Sequence, residues 1–151
     1  MTIDRARTPW HLWVVGVLSL LWNAFGCYDY TMTQLGDATY LSAMASQAGV
    51  PVDIFIAHFA AYPAWMDAAW ALGVWGSLLG SILLLLRKQW AVLAFFVSLF
   101  GLFVSTLYGI GNPVEGMEQS ASNWTLMAMI WVILIGLIVY SRAMVKRNHL
   151  R

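Results

Sequence analysis

Charged side chains are scarce in this sequence. Asp, Glu, Lys and Arg make up only 10% of the 151 residues, whereas hydrophobic residues make up 61%. A soluble domain carries about 25% charged residues, so this composition excludes an ordinary water-soluble fold. The formal net charge of +1 argues neither for nucleic acid nor for an acidic substrate as a partner. The length allows one domain of a few helices and no separate soluble module.

Residues suited to metal, redox or catalytic chemistry are scarce as well. Cys27 is the single cysteine, which excludes an intramolecular disulfide and a site with paired thiolate ligands. The three histidines, His11, His58 and His149, do not fall at matching depths in two apolar segments. The sequence contains no phosphate-binding loop and no nucleophile motif. We therefore expect no metal, no cofactor and no enzymatic activity.

Long apolar runs, in contrast, are abundant. A run of about 20 apolar residues is long enough to cross the hydrocarbon core of a bilayer as a helix. The sequence therefore predicts an all-α integral membrane protein, an antiparallel four-helix bundle in one domain comprising residues 1–151. The four predicted membrane spans cover approximately residues 10–30, 64–86, 90–109 and 124–141.

The segment between the first two predicted spans, residues 31–62, is polar to mixed and contains no Lys or Arg. It predicts two short amphipathic helices that lie on the outer surface of the bundle. Asp37 is the expected N-cap of the first helix and Gly49 its C-cap, whereas Asp53 is the expected N-cap of the second.

The basic residues predict the orientation of the protein. All eight fall on one side of a four-span topology: two before the first span, two between the second and third, and four after the fourth. Six of the seven acidic residues fall on or near the other side. The positive-inside rule then places both termini and the Arg87–Lys88 turn in the cytoplasm.

Small residues recur at helical spacing along three of the spans. Such residues allow membrane helices to approach closely, because lipid removes most of the hydrophobic incentive for association. We expect the first three spans to pack tightly, and the bulky fourth span to pack through large side chains or to face lipid and a partner. The predicted packing residues are Gly16, Ser19 and Gly26, then Gly73, Gly76 and Gly80, then Ser98, Gly101 and Ser105.

Asp29 and Asp67 are the two carboxylates within reach of the membrane. A carboxylate in a membrane span is a candidate functional group, because burial of its charge is costly. Both also have a structural interpretation: Asp29 would end the first span near water, and Asp67 would lie where a helix dipole favours negative charge. The functional interpretation is an outward-facing pocket for a cation, a sugar-like solute or a quinone headgroup. Its predicted residues are Asn23, Asp29, Tyr30, Trp65, Asp67, Trp70 and Tyr108.

Two motifs carry a resemblance to a known group of proteins. The first has the form N-x-x-G-x-x-D-Y, at Asn23 to Tyr30, and the second joins P-x-W-x-D to G-V-W-G, at Pro63 to Gly76. With the surrounding sequence of the first three spans, they resemble small bacterial inner-membrane proteins that are often loosely labelled sugar transporters. The resemblance implies a four-span protein of the bacterial inner membrane and lends some support to transport. The segment from Ala45 to Ile56 is longer than expected for that group.

Two functions follow as hypotheses. The first is a non-enzymatic small accessory subunit of a larger membrane complex, or a homo-oligomer, with the lipid bilayer and other membrane proteins as partners. The alternative is a transporter of a small sugar-like or cationic solute that uses the carboxylate and aromatic pocket. Transporters usually bind near the bilayer midplane at a charged or broken-helix site, and the sequence shows no such site there.

Overall fold

The computed structural model describes residues 8–117 and 121–151, so Arg5, Arg7 and Glu118 lie outside the described residues. Within these ranges the chain forms six helices and no strand. Helices α1, α4, α5 and α6 are long and apolar enough to cross a membrane, which confirms the predicted all-α four-helix architecture. The helices are α1 Trp10–Gln34, α2 Ala38–Ala48, α3 Val52–Ala60, α4 Ala64–Leu85, α5 Trp90–Gly111 and α6 Ala121–Lys146.

Helix α1 continues past residue 30, where the first span was expected to end. The Thr31 and Thr33 hydroxyls donate hydrogen bonds to carbonyls within the helix, and the chain first reverses at Gly36, which has a φ of 65°. Only glycine adopts such a conformation without a steric penalty. Asp29 therefore lies inside α1, one turn before its end.

The capping predictions for the short helices differ in outcome. The Asp37 side chain accepts a hydrogen bond from the Tyr40 amide, and Gly49 ends α2 in the left-handed conformation, as predicted. The prediction that Asp53 caps α3 is wrong. Pro51 occupies the N-cap position and Asp53 lies in the first turn, because proline fixes a φ that suits the start of a helix.

Helices α4 and α5 approach each other closely. A Cβ atom added at Gly101 of α5 would lie 2.5 Å from the Ala69 carbonyl oxygen and 2.5 Å from the Gly73 amide nitrogen of α4. One added at Gly76 would lie 3.2 Å from the Ser98 amide nitrogen. The Ser98 hydroxyl donates a 2.5 Å hydrogen bond to the Gly73 carbonyl. Small residues thus bring the two backbones into direct contact. A Cβ at the third glycine of the row, Gly80, would meet the Phe95 ring.

Helix α1 packs on the other side of α4, through a polar contact. The Asn23 amide donates to the Ser77 carbonyl at 3.2 Å and to the Ser81 hydroxyl at 2.8 Å, and all three residues are buried. On either side of this contact, Gly16 lies against Leu85 and Gly26 lies near Val74. Ser19 is buried and donates to the Gly16 carbonyl of its own helix.

One end of the bundle contains every described Lys and Arg and is called the basic end below. An apolar cluster fills it, and a 2.6 Å hydrogen bond between His11 and Tyr140 links α1 to α6 there. The chain then folds back: Leu150 is buried, and the Arg151 amide donates to the Arg87 carbonyl at 2.8 Å. The buried members of the cluster are Leu12, Leu84, Ala91, Phe95, Leu134, Leu137, Ile138, Met144 and Leu150.

The opposite end, called the acidic end, carries α2 and α3. Their buried residues form a second, smaller cluster, against which Val114 and Met117 of the loop after α5 also pack. The acidic side chains that the structure describes all lie toward this end: Asp29, Asp37, Asp53, Asp67 and Glu115.

Candidate functional site

A cavity of about 350 Å³ lies inside the bundle, on the acidic-end side of the apolar cluster. Helices α1, α2, α4, α5 and α6 all contribute to its wall. Protein interiors are normally packed as densely as organic crystals, and small-molecule sites begin at about 300 Å³. The cavity is therefore large enough to be a binding site.

The cavity exists because α6 packs against α5 and makes little contact with α1 over the described residues. On the α4 and α5 side the wall is made of small residues, among them Gly73, Ser77 and Ser98. These residues are small because the α4–α5 contact requires it, so they cannot fill the space that α6 leaves. The α6 side is bulky and apolar: Leu126, Met127, Ile130, Ile133 and Leu134.

Few polar groups of the wall are left without a partner inside the protein. The two amide hydrogens of Asn23 are used by Ser77 and Ser81, and the Thr106 hydroxyl accepts a 3.3 Å hydrogen bond from Trp131. Among the fully buried side-chain polar atoms of the wall, the Ser105 hydroxyl has no hydrogen-bond partner in the part of the chain described. A buried hydroxyl without a partner costs about 1–3 kcal/mol, and a ligand that offers one would recover part of that cost.

Helix α2 closes the cavity toward the acidic end. Tyr40 and Met44 of α2 line the cavity, and the Tyr40 hydroxyl donates a 2.6 Å hydrogen bond to the Asp29 carboxylate. The Tyr28 ring also contacts the Tyr40 ring edge-on at 5.6 Å. Burial, and then the bond to Asp29, raise the pKa of Tyr40 far above its usual range. The hydroxyl thus stays protonated and remains the donor at any physiological pH.

Beside the cavity lies a cluster of aromatic rings that joins α1, α4 and α5 and includes Phe59 of α3, which lies 5.8 Å from the Trp70 ring. Tyr30 meets Trp70 at 5.1 Å, and Tyr108 meets Tyr62 at 5.2 Å and Trp65 at 5.4 Å, all close to edge-on. Aromatic pairs in this geometry contribute about 0.5–1.5 kcal/mol beyond their buried area. Burial raises the pKa of Tyr62 to about 12. The cluster fixes the start of α4 against its neighbours.

The residues predicted for one pocket therefore divide between two places. Asn23, Asp29 and Trp70 line the cavity, and Trp70 also belongs to the aromatic cluster. The Asp67 carboxylate accepts a 2.9 Å hydrogen bond from Gln34 at the end of α1 and is not among the described wall residues. Tyr30, Trp65 and Tyr108 lie in the aromatic cluster.

Sequence reasoning missed several residues of the cavity wall. Tyr40 carried no signal, because the position of α2 against α1 depends on tertiary packing. Ser98 and Ser105 were recognised as small residues but were assigned to helix packing, although both also line the cavity. The apolar wall from α6 was expected to pack or to face lipid and a partner.

Comparisons with family models, curated proteins and solved structures found no match for this chain. The resemblance to small four-span bacterial proteins therefore stays a prediction. In the described ranges no group of three or more His, Cys, Asp or Glu side chains is placed to hold a metal ion.

Proposed function

We propose that this protein is a non-enzymatic, multi-pass membrane protein that binds a small amphipathic molecule in the cavity between α1 and α6. The cavity itself carries the proposal: a space of about 350 Å³ that five helices border and that opens between α1 and α6. Empty space of this size costs stability, because the atoms that line it lose their contacts. A bound molecule would restore those contacts.

The wall favours a ligand with an apolar body and one or two hydrogen-bonding groups. The α6 side and Phe25, Met44 and Trp70 supply apolar surface. The Ser105 hydroxyl lacks a partner, whereas the Asn23 amide hydrogens and the Tyr40 hydroxyl already have one. A sugar would give up many hydrogen bonds to water without replacement, at a cost of several kcal/mol. A quinone headgroup or a similar uncharged ring fits this chemistry better than a sugar-like solute.

The exposed rim favours entry from the membrane. Phe25 of α1 is 64% exposed and Leu126 of α6 is 52% exposed, and both line the cavity. Since α1 and α6 make little contact over the described residues, the gap between them would face hydrocarbon in a bilayer. Helix α2 separates the cavity from water at the acidic end. A role in carrying such a molecule, or in presenting it to a partner, is consistent with this access.

The placement of the protein in a membrane is part of the same proposal. We propose the bacterial inner membrane, with both termini in the cytoplasm. The resemblance to small bacterial proteins supports the choice of membrane, and the distribution of charge supports the orientation: the described Lys and Arg residues lie at one end of the bundle and the described acids toward the other.

A pair of tryptophan substitutions on α6 tests the proposal. Ile130→Trp adds a large side chain to the cavity wall, whereas Val132→Trp adds the same side chain two residues away, at a position that is 69% exposed. Thermal unfolding of the purified protein is measured with a short-chain quinone, with a monocyclic phenol and with glucose. A ligand at 100 times its Kd stabilises a protein by about 2.7 kcal/mol.

We expect the quinone or the phenol to raise the Tm of the wild-type protein and of Val132→Trp, but not that of Ile130→Trp. Glucose should have no effect on any of the three. Equal stabilisation of both variants by a ring compound would place the binding elsewhere. Stabilisation by glucose alone would restore the sugar hypothesis.

A second candidate function is assembly through α6, as a homo-oligomer or an accessory subunit. Its support is the outward face of α6, where Ala128 and Gly136 are exposed, and a Cβ at Gly136 would meet no atom within 4 Å. Small exposed residues allow a second helix to approach. Gly136→Leu should then reduce the oligomer size or remove a co-purifying protein in mild detergent. An unchanged size and protein content would argue against this function.

A further inference from the structure

A groove of about 500 Å³ lies at the basic end, between the start of α5 and the end of α6. Arg142 and Lys146 line it from α6, one helical turn apart, and both are exposed. Neither side chain forms an ion pair or a hydrogen bond with any described residue. No acidic side chain lines the groove within the described ranges, because the described acids lie toward the other end.

This arrangement leaves two positive charges uncompensated. Like charges four residues apart on a helix repel each other and destabilise the helix. A single anion between Arg142 and Lys146 would remove this repulsion and would accept hydrogen bonds from both side chains. A phosphate group has the charge and the acceptor oxygens for both.

The remainder of the groove is apolar. Leu93 and Phe96 of α5 line it, and both are exposed although they are large and hydrophobic. They lie one and two helical turns further from the basic end than Trp90, which is 62% exposed at the rim. Tryptophan is enriched where a membrane meets water. A free phosphate ion would use the two cations and leave this apolar wall uncovered.

We propose that this groove binds an anionic phospholipid. Its phosphate lies between Arg142 and Lys146, and one acyl chain runs along α5 over Leu93 and Phe96. Basic pockets between membrane helices are suited to anionic headgroups, and here the apolar wall continues directly from the charged site. The site is separate from the central cavity, with which it shares no wall residue.

Native mass spectrometry of the purified, delipidated protein tests the proposal. The protein is titrated with phosphatidylglycerol and with phosphatidylcholine that have identical acyl chains. The groove variant is Arg142→Gln with Lys146→Gln. The control variant is Lys88→Gln with Arg147→Gln, which removes the same charge from two exposed positions at the same end but outside the groove.

Each cation near an anionic lipid contributes about 1 kcal/mol, so loss of both should weaken phosphatidylglycerol binding about 30-fold. We expect less than a threefold loss in the control variant and little change in phosphatidylcholine binding in any protein. An equal loss in both variants would overturn the proposal in favour of a diffuse positive field. Equal binding of the two lipids by the wild-type protein would overturn it as well.

Two further measurements distinguish a lipid from a free anion. Inorganic phosphate or glycerol phosphate at 10 mM should leave phosphatidylglycerol bound, because neither contacts the apolar wall; displacement by either would indicate a simple anion site. A phosphatidylglycerol with a photoreactive acyl chain should label the peptide that contains Leu93 and Phe96 in wild-type protein. Labelling that avoids this peptide would contradict the position proposed for the chain.

Discussion

Replacement of Gly101 by alanine tests the contact between α4 and α5 directly. The added Cβ would lie 2.5 Å from the Ala69 carbonyl oxygen and 2.5 Å from the Gly73 amide nitrogen, and both are backbone atoms. An ordinary van der Waals contact of a Cβ atom needs 3.4 Å or more. The two helices must therefore separate by roughly 1 Å, and neither backbone atom can rotate out of the way as a side chain would.

The cost follows from this separation. Overpacking of a well-packed interface costs about 1–3 kcal/mol. The Ser98 hydrogen bond to the Gly73 carbonyl, now 2.5 Å long, would weaken too, and such bonds between membrane helices average about 0.6 kcal/mol. We expect Gly101→Ala to lower the free energy of unfolding by about 2–3 kcal/mol.

Gly109→Ala is the matched control, since it makes the same change on the same helix, where a Cβ would meet no atom within 4 Å. It should be neutral or stabilising by at most about 1 kcal/mol, because alanine favours a helix over glycine. Both variants are compared with wild type by reversible unfolding in mixed micelles, followed by tryptophan fluorescence. If the two variants agreed within about 0.5 kcal/mol, direct backbone contact between α4 and α5 would be refuted.

Three further predictions concern individual hydrogen-bonding and titrating groups. Asn23→Ala should destabilise the bundle by about 1 kcal/mol through loss of its bonds to α4; in a double-mutant cycle with Ser81→Ala, strict additivity would show that the two side chains do not interact. Tyr40→Phe removes the hydrogen bond that attaches α2 to the Asp29 carboxylate of α1. The amide hydrogens of α2 should then exchange with solvent roughly 10-fold faster. Unchanged exchange rates would count against this attachment. Burial lowers the pKa of His58 in the folded protein. The neutral imidazole therefore contributes its full stability above the unfolded pKa of about 6.5, and this stability is lost as the pH falls through the lower pKa of the folded state. An NMR titration midpoint for His58 at or above 6.5 would contradict this.

The helices and their main contact could be predicted from the sequence because both depend on local pattern. Runs of apolar residues determine where a chain can cross a membrane. Glycines at a spacing of three and four determine which side of a helix allows another backbone to approach. Gly73 and Gly76 were recognised on that basis, and the structure places them against α5.

The cavity could not be predicted in the same way, because it results from the lack of close packing between α1 and α6. The hydrophobic pattern shows that α6 is apolar. It does not show that α6 packs against α5 and makes little contact with α1. The sequence also did not predict that Tyr40 donates a hydrogen bond to Asp29. Tyr40 reaches Asp29 because the chain reverses at Gly36 and because α2 has one particular rotation about its axis. Asp29 and Asp67 were assigned to one pocket because the sequence places both within reach of the membrane. In the structure the Asp67 carboxylate accepts a hydrogen bond from Gln34 and lies outside the cavity wall.

The hydrogen bond between His11 and Tyr140 has a mechanical consequence. It joins α1 and α6 at the closed end of the bundle, whereas Leu126 lies at the rim of the cavity further along α6. At 1.5 Å per residue, about 21 Å of helix separates Tyr140 from Leu126. A tilt of α6 by about 5° around this attachment would therefore move Leu126 by about 2 Å, comparable to the radius of a methyl group. Because Leu134, Leu137 and Ile138 of α6 are also buried in the apolar cluster, the width of the gap depends on the packing of that cluster as well as on the hydrogen bond.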